Sequence, residues 1–176
     1  MNATWLHTAD ECGETPLTRA SRSGRMELAN IMLMQEIEDN VKRAGLLPPL
    51  HRAAYWDYDD AIADLIADGV DPAEEYDTGE TALHLAVRLG NEKAVNALLE
   101  SGMNVDTPNS QGMTALHWAA INGQTKIAEV LLGHGADIHA RAWLSNDGIT
   151  PLEIAREMDY GDLVLLLEMG VEAWYA

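Results

Sequence analysis

Apolar residues recur along this chain as two adjacent pairs placed four residues apart, a spacing that puts all four side chains on one face of a helix. The arrangement recurs with a 33-residue period in the middle of the chain, as Ala61/Ile62 with Leu65/Ile66, Ala94/Val95 with Leu98/Leu99, and Ile127/Ala128 with Leu131/Leu132. A glycine follows each set, at Gly69, Gly102 and Gly135. Because glycine accepts the left-handed conformation that ends a helix, the pattern predicts one short amphipathic helix in each period.

A second repeated segment precedes these helices. Thr81-Ala-Leu-His-Leu-Ala returns one period later at Thr114, and earlier copies begin at Thr15 and Pro48. A last copy begins at Thr150, three positions beyond the next full period. Threonine is a good N-cap and proline is tolerated in the first helical turn, so each copy predicts the start of another helix. Nine residues after the first residue of each copy stands Gly24, Gly90 or Gly123, with Asp57 and Asp159 as the two exceptions.

The Thr-Pro-Leu-His-x-Ala segment and its 33-residue period resemble the ankyrin-repeat family, in five copies in register. The resemblance covers roughly Asp10 to Gly170 and implies an all-α solenoid of about five helix-turn-helix units joined by short β-hairpin loops. Each unit alone cannot bury its apolar face, whereas a stack of units can. We therefore expect a single domain over residues 1–176, with repeats at about 10–45 (an N-terminal cap), 46–78, 79–111, 112–147 and 148–176 (a C-terminal cap).

The two end units depart from the repeat, as the caps of a solenoid do. The stretch from Met26 to Ala44 lacks a hairpin signal and predicts one long helix that ends at Gly45. The segment from Asp162 to Met169 predicts an apolar helix, and we expect the tail from Val171 to Ala176 to cover the end of the stack. The alternative for this tail is a dimerisation or partner-binding patch.

The charge is strongly negative, with 29 acidic and 11 basic residues and a formal net charge of −18. This composition argues against binding to nucleic acid, and equally against adsorption to an anionic membrane. An acidic surface speeds encounter with a basic partner, but it also simply keeps a monomer soluble, and the sequence leaves both readings open.

The single cysteine, Cys12, allows no intrachain disulfide and fits a reducing compartment. Residues Met1 to Asp10 have neither the basic nor the apolar region of a signal peptide, so we expect a cytoplasmic protein; a chain that has lost its signal would look the same. The longest apolar stretch, from Leu163 to Leu167, is too short to span a bilayer.

The candidate chemistry is sparse. His51, His84 and His117 occupy the fourth position of successive copies, a position that the resemblance assigns to bonding the neighbouring hairpin. Stacked repeats would hold them about 10 Å apart, too far to share a zinc ion. His134 and His139 straddle a glycine turn and have no cysteine nearby. No nucleophile-elbow, phosphate-loop, zinc-protease or calcium-loop motif occurs. We therefore expect no catalytic residue, no metal and no cofactor.

The resemblance implies that a partner binds to the concave face, which is made of loop tips and the first helix of each pair. We expect Trp118 to be the most core-like of the aromatic residues there, and Trp56 and Trp143 to be exposed as anchors. A cluster of carboxylates in one predicted loop is either a solvated loop or an acidic finger for a basic partner. The candidate partner-binding residues are Tyr55, Trp56, Tyr76, Arg88, Met113, Trp118, Ile121, Arg141, Trp143, Glu75, Asp77 and Glu80.

The expected function is non-catalytic binding of another protein, one that is basic around an apolar pocket or knob. Three forms of this function stay open: an adaptor, a dedicated inhibitor or immunity protein that blocks one enzyme, and an acidic mimic of nucleic acid. An enzyme on a repeat scaffold is the remaining class, and the sequence holds no catalytic constellation for it.

Overall fold

A computed structural model describes residues 47–76, 78–143 and 148–169, all within a compact unit that begins at Leu47. These residues form the helices α1 (Pro49–Tyr55), α2 (Asp59–Ala67), α3 (Ala82–Leu89), α4 (Glu92–Glu100), α5 (Ala115–Ile121), α6 (Thr125–Gly133), α7 (Pro151–Glu157) and α8 (Gly161–Met169). Each of the four later predicted repeats contains one helix pair. The first repeat, the helix predicted within it, the tail after Met169 and Asp77 lie outside the described residues, and the division of the whole chain into repeats stays a prediction.

The helices form two layers because equivalent helices of successive pairs pack side by side. The first helices α1, α3, α5 and α7 make one layer, and the second helices α2, α4, α6 and α8 make the other. Alanine at the sixth position of the motif is buried in every pair (Ala53, Ala86, Ala119 and Ala155) and lets neighbouring first helices approach closely. Leucines and isoleucines from both layers, including Leu50, Ile62, Leu83, Leu98, Leu116 and Leu131, fill the space between them. The predicted all-α repeat solenoid is confirmed.

The helix starts follow the predicted N-caps. Thr81 and Thr114 form capping boxes in which the side chain of the histidine at N3 accepts the N-cap N–H, and Thr150 does the same with Glu153. The predicted hairpins are minimal. Among the described residues, only isolated bridges between Tyr76 and Glu80 and between Ala142 and Ile149 have the β pattern. No helix in the described ranges is long and apolar enough to cross a membrane.

Candidate partner-binding surface

The histidines of the repeated segment tie each first helix to the following hairpin. Nδ1 of His84 accepts the N–H of Thr81 at 3.1 Å, so its Nε2 carries the proton and donates to the carbonyl of Met113 at 3.0 Å. His117 repeats the arrangement one unit later, with the N–H of Thr114 and the carbonyl of Ile149. The structural role expected at this position is confirmed.

Burial keeps these imidazoles neutral. It lowers the pKa of His84 from 6.5 to about 4, against the opposing effect of its hydrogen bond to the Met113 carbonyl, and it also lowers the pKa of His117. Within the described ranges, no group of three or more histidine, cysteine or acidic side chains is arranged to hold a metal ion. His84 and His117 therefore hold the following hairpins in position.

The three hairpins lie against one another along one edge. The N–H of Ser110 donates to the carbonyl of Thr78 at 3.0 Å, and the N–H of Trp143 donates to the carbonyl of Gln111 at 2.8 Å. The contact is close at Gly112, where an added Cβ would lie 3.2 Å from the Arg141 carbonyl oxygen. We call this edge the hairpin ledge: residues 76, 78–80, 109–113, 141–143, 148 and 149. It carries five of the predicted partner-binding residues at fixed relative positions.

Arg88 joins the hairpin ledge to the first-helix layer. Its guanidinium lies 2.9 Å from a carboxylate oxygen of Glu80 on the ledge and 5.6 Å from the ring centroid of Trp118 on α5. A cation over an indole face is attracted by the ring quadrupole. Arg88 and Trp118, which belong to successive repeats, thus share one exposed border of the layer.

Two of the predicted partner-binding residues, Met113 and Glu80, are buried, contrary to their expected place on the surface. Met113 is only 2 % exposed. Its N–H donates to Asn109 Oδ1 and its carbonyl accepts from His84, so its backbone is held on both sides. Glu80 is only 9 % exposed because it is engaged by Arg88, and its carbonyl accepts from His51. Both residues shape the surface without offering it a free side chain.

The aromatic candidates differ in exposure as expected. Trp143 is 74 % exposed and Trp56 is 40 % exposed, whereas Trp118 is half-buried and packs on the core. Tyr55 stacks edge-on against Trp56 with ring centroids 5.1 Å apart, and Tyr76 is exposed and contacts the ring of His51. Exposure of Trp56 and Trp143 is confirmed, and their binding role stays a prediction.

The remaining candidates also divide into half-buried and exposed residues. Ile121 is half-buried at the end of α5, and Glu75 and Arg141 are exposed in the loops. Other exposed apolar residues include Leu89 and Met158 at the first-helix ends and Tyr58 just after α1. Leu89 is the equivalent of Trp56 in the 33-residue register, and Met158 holds the same place in the last pair. These positions extend the apolar surface along the first-helix layer.

Trp56 also borders a pocket formed by α1 and α2 and the turn between them. The pocket has a volume of about 530 Å³, and Pro49 and Arg52 of α1 line it together with Trp56, just after the end of that helix. Asp64 of α2 and Asp68, just after its end, line the other side. The lining thus combines an apolar indole with two carboxylates and the Arg52 guanidinium.

The comparisons with known proteins agree with this architecture. A family model described as ankyrin repeats, in three copies, matches residues 50–142. No curated protein matches the sequence. The matched segment contains the hairpins at 76–80 and 109–113 and three of the helix pairs. Because the family model covers more than half of the chain, the protein belongs to the ankyrin-repeat family.

Proposed function

We propose that this protein is a non-catalytic binder of another protein, and that it binds through the hairpin ledge and the exposed ends of the first helices. The observation that carries the proposal is the continuity of this surface. Backbone hydrogen bonds join the three hairpins, and Arg88 joins them to α5 through Glu80 and Trp118. Ankyrin repeats are protein-interaction modules, so the family supports the same function.

The proposed partner is basic around an apolar pocket or knob. Residues 47–80 contain ten carboxylate residues and a single basic residue, Arg52. Trp56 lies within this acidic part of the chain and is an exposed anchor of the kind that dominates interface energetics. Complementary charge would raise the association rate, and the apolar contacts would set the lifetime of the complex.

An inhibitor is favoured over an adaptor by one observation. The loop that carries Trp143 has three residues more than the equivalent loops, and Trp143 is the most exposed of the large apolar residues described. A protruding indole fits a cleft of a partner enzyme. The proposal includes a monomeric protein in a reducing compartment such as the cytoplasm, since a net charge of −18 opposes self-association.

The test is capture from a lysate of the host, followed by titration of the purified partner at low and high salt. The variant Tyr55→Ala/Trp56→Ala/Trp143→Ala is compared with Leu165→Ala/Met169→Ala, which removes exposed apolar side chains from α8 instead. We expect the triple variant to weaken binding by more than about tenfold, because aromatic anchors contribute about 2 kcal/mol or more each, and the control to change it less than about twofold.

Equal binding by wild type and the triple variant would contradict the proposal. Loss of the captured enzyme's activity on addition of the wild type would assign the inhibitor role, and unchanged activity would assign the adaptor role. Capture of a DNA-binding protein, lost at high salt but retained by the triple variant, would favour the nucleic-acid mimic.

A further inference from the structure

A second groove lies on the opposite layer, between α2 and α4. Its volume is about 460 Å³, and its floor consists of Ala63, Ile66 and Ala67 from α2 with Ala97 from α4. These four side chains are half-buried or exposed, so the groove opens to the surface. It is separate from the surface of the proposed function, which belongs to the hairpins and the first helices.

Small side chains form this groove, and the repeat itself provides the comparison. One repeat later, the places of Ala63, Ala67 and Ala97 are taken by Asn96, Glu100 and Val130. All of these residues stand in equivalent second helices. Larger side chains thus replace these alanines one repeat later, and the alanines leave an open groove between α2 and α4.

The rim of the groove is acidic. Asp59 and Asp60 stand in the first turn of α2, and Glu100 ends α4 on the other helix. None of the three carboxylates forms an ion pair with another described residue. The equivalents of Asp59 and Asp60 are Glu92 and Lys93 in α4, and Thr125 and Lys126 in α6. Both positions are therefore acidic in α2 but not in α4 or α6.

The helix dipole explains only part of this rim. Carboxylates in the first turn of a helix are stabilised by the positive end of its dipole, which accounts for Asp59 and Asp60. Glu100 stands at the end of α4, where the dipole opposes a negative charge. Its place is better explained by a positive group that binds across the groove.

We propose that the groove between α2 and α4 binds a short amphipathic helix of a partner protein, with small apolar residues on one face and a lysine or arginine near each end. The groove follows α2 from Asp59 to Ala67, and at the rise of about 1.5 Å per residue it is about 12 Å long. This length matches about two turns of such a helix. Alanines on the floor let a helix backbone approach closely, and the separated carboxylates suit basic residues about seven positions apart. Burial of an apolar helix face in a groove is a recurrent mode of peptide recognition.

The probe is a fluorescein-labelled, capped 15-residue peptide designed to be helical, with alanine and leucine on one face and a lysine pair near each end. Its affinity is measured by fluorescence anisotropy at low salt, and its site by backbone amide shifts in the NMR spectrum. We expect binding with a Kd below about 1 mM, with shifts at Ala63 and Ala97, and none for the same peptide with glutamate in place of lysine.

Two variants take their residues from equivalent places in the same fold. Ala63→Asn/Ala97→Val fills the groove as in the next repeat, and Asp59→Thr/Asp60→Lys gives the rim the residues of α6. We expect each to weaken peptide binding about five- to tenfold, and the Tyr55→Ala/Trp56→Ala/Trp143→Ala variant to leave it unchanged. Urea unfolding checks that each variant is folded. If Ala63→Asn/Ala97→Val does not fold, Asp59→Thr/Asp60→Lys still tests the proposal.

Three results would overturn the proposal. The first is no binding of the lysine peptide up to about 1 mM. The second is binding that the folded groove variants leave unchanged, since the peptide would then lie elsewhere. The third is a concentration-dependent dimer that only Ala63→Asn/Ala97→Val dissociates, because the occupant would then be a second copy of this chain.

Discussion

The carboxylate of Asp57 accepts a hydrogen bond from the backbone N–H of Ala94, with Oδ1 and N 2.8 Å apart. Ala94 is in the first turn of α4, so a residue of one repeat caps a helix of the next. Asn91 returns the contact, because its side-chain amide donates to the carbonyls of Ala54 and Tyr55 at the end of α1. Hydrogen bonds thus join the two repeats at the start of α4 and at the end of α1.

Asp57 and Asp159 provide a matched pair for measuring this cap. Both stand at the place usually taken by glycine and have positive φ, 56° and 60°. Replacement of either by glycine relieves the same backbone strain, but only Asp57→Gly also removes a cap. We expect Asp57→Gly to be less stable than Asp159→Gly by about 1 kcal/mol in urea unfolding, each taken relative to wild type. An equal effect of the two substitutions would show that the Asp57 cap contributes nothing.

Pro48 leaves the imidazole of His51 incompletely bonded. His84 accepts the N–H of Thr81 at Nδ1, whereas Nδ1 of His51 is buried without a partner because proline has no N–H. Pro48→Thr would supply both the N–H and a capping hydroxyl. We expect it to raise the free energy of unfolding above wild type, and to exceed Pro48→Ala, which supplies only the N–H, by about 1 kcal/mol.

The measurement is urea unfolding of the three proteins side by side. If Pro48→Thr is no more stable than wild type, the greater conformational entropy of the unfolded chain without proline outweighs the two new hydrogen bonds. Equal stability of the threonine and alanine variants would remove the hydroxyl from the explanation.

The buried His84 makes stability depend on pH in a defined window. Its pKa is about 4 in the folded protein and 6.5 in the unfolded chain, so as pH falls the unfolded chain takes up the proton first. The stabilisation is fully present above pH 6.5 and declines between pH 6.5 and 4, by on the order of 3 kcal/mol. We expect His84→Gln to have a flatter pH profile of the free energy of unfolding than wild type across this window.

The control for this prediction is His134→Gln, which replaces an exposed histidine. Its profile should follow that of wild type across the same window. If His84→Gln followed wild type as well, the acid sensitivity would come from other groups, His117 among them, since its pKa is shifted in the same direction.

The sequence predicted much of the fold because the signals are local. A capping threonine, a four-residue apolar spacing and a closing glycine each act within one or two helical turns. Exposure of Trp56 and Trp143 was predictable for the same reason, since they occupy positions that the repeat leaves free. The burial of Met113 and Glu80 was not predictable from local signals, because the carbonyl of each accepts a hydrogen bond from a histidine of the preceding repeat.

What the sequence by itself determined is the repeat: its period, its helices and the histidine that bonds the next hairpin. Only the tertiary structure decided that Arg88 bridges Glu80 and Trp118, that Asp57 caps α4, and that alanines in α2 and α4 leave an open acidic groove. The physical reason is sequence distance. A helix is stabilised by residues three or four apart, whereas Arg88 and Glu80 stand eight residues apart and the other contacts join residues of different repeats, whose relation is set by how the repeats stack.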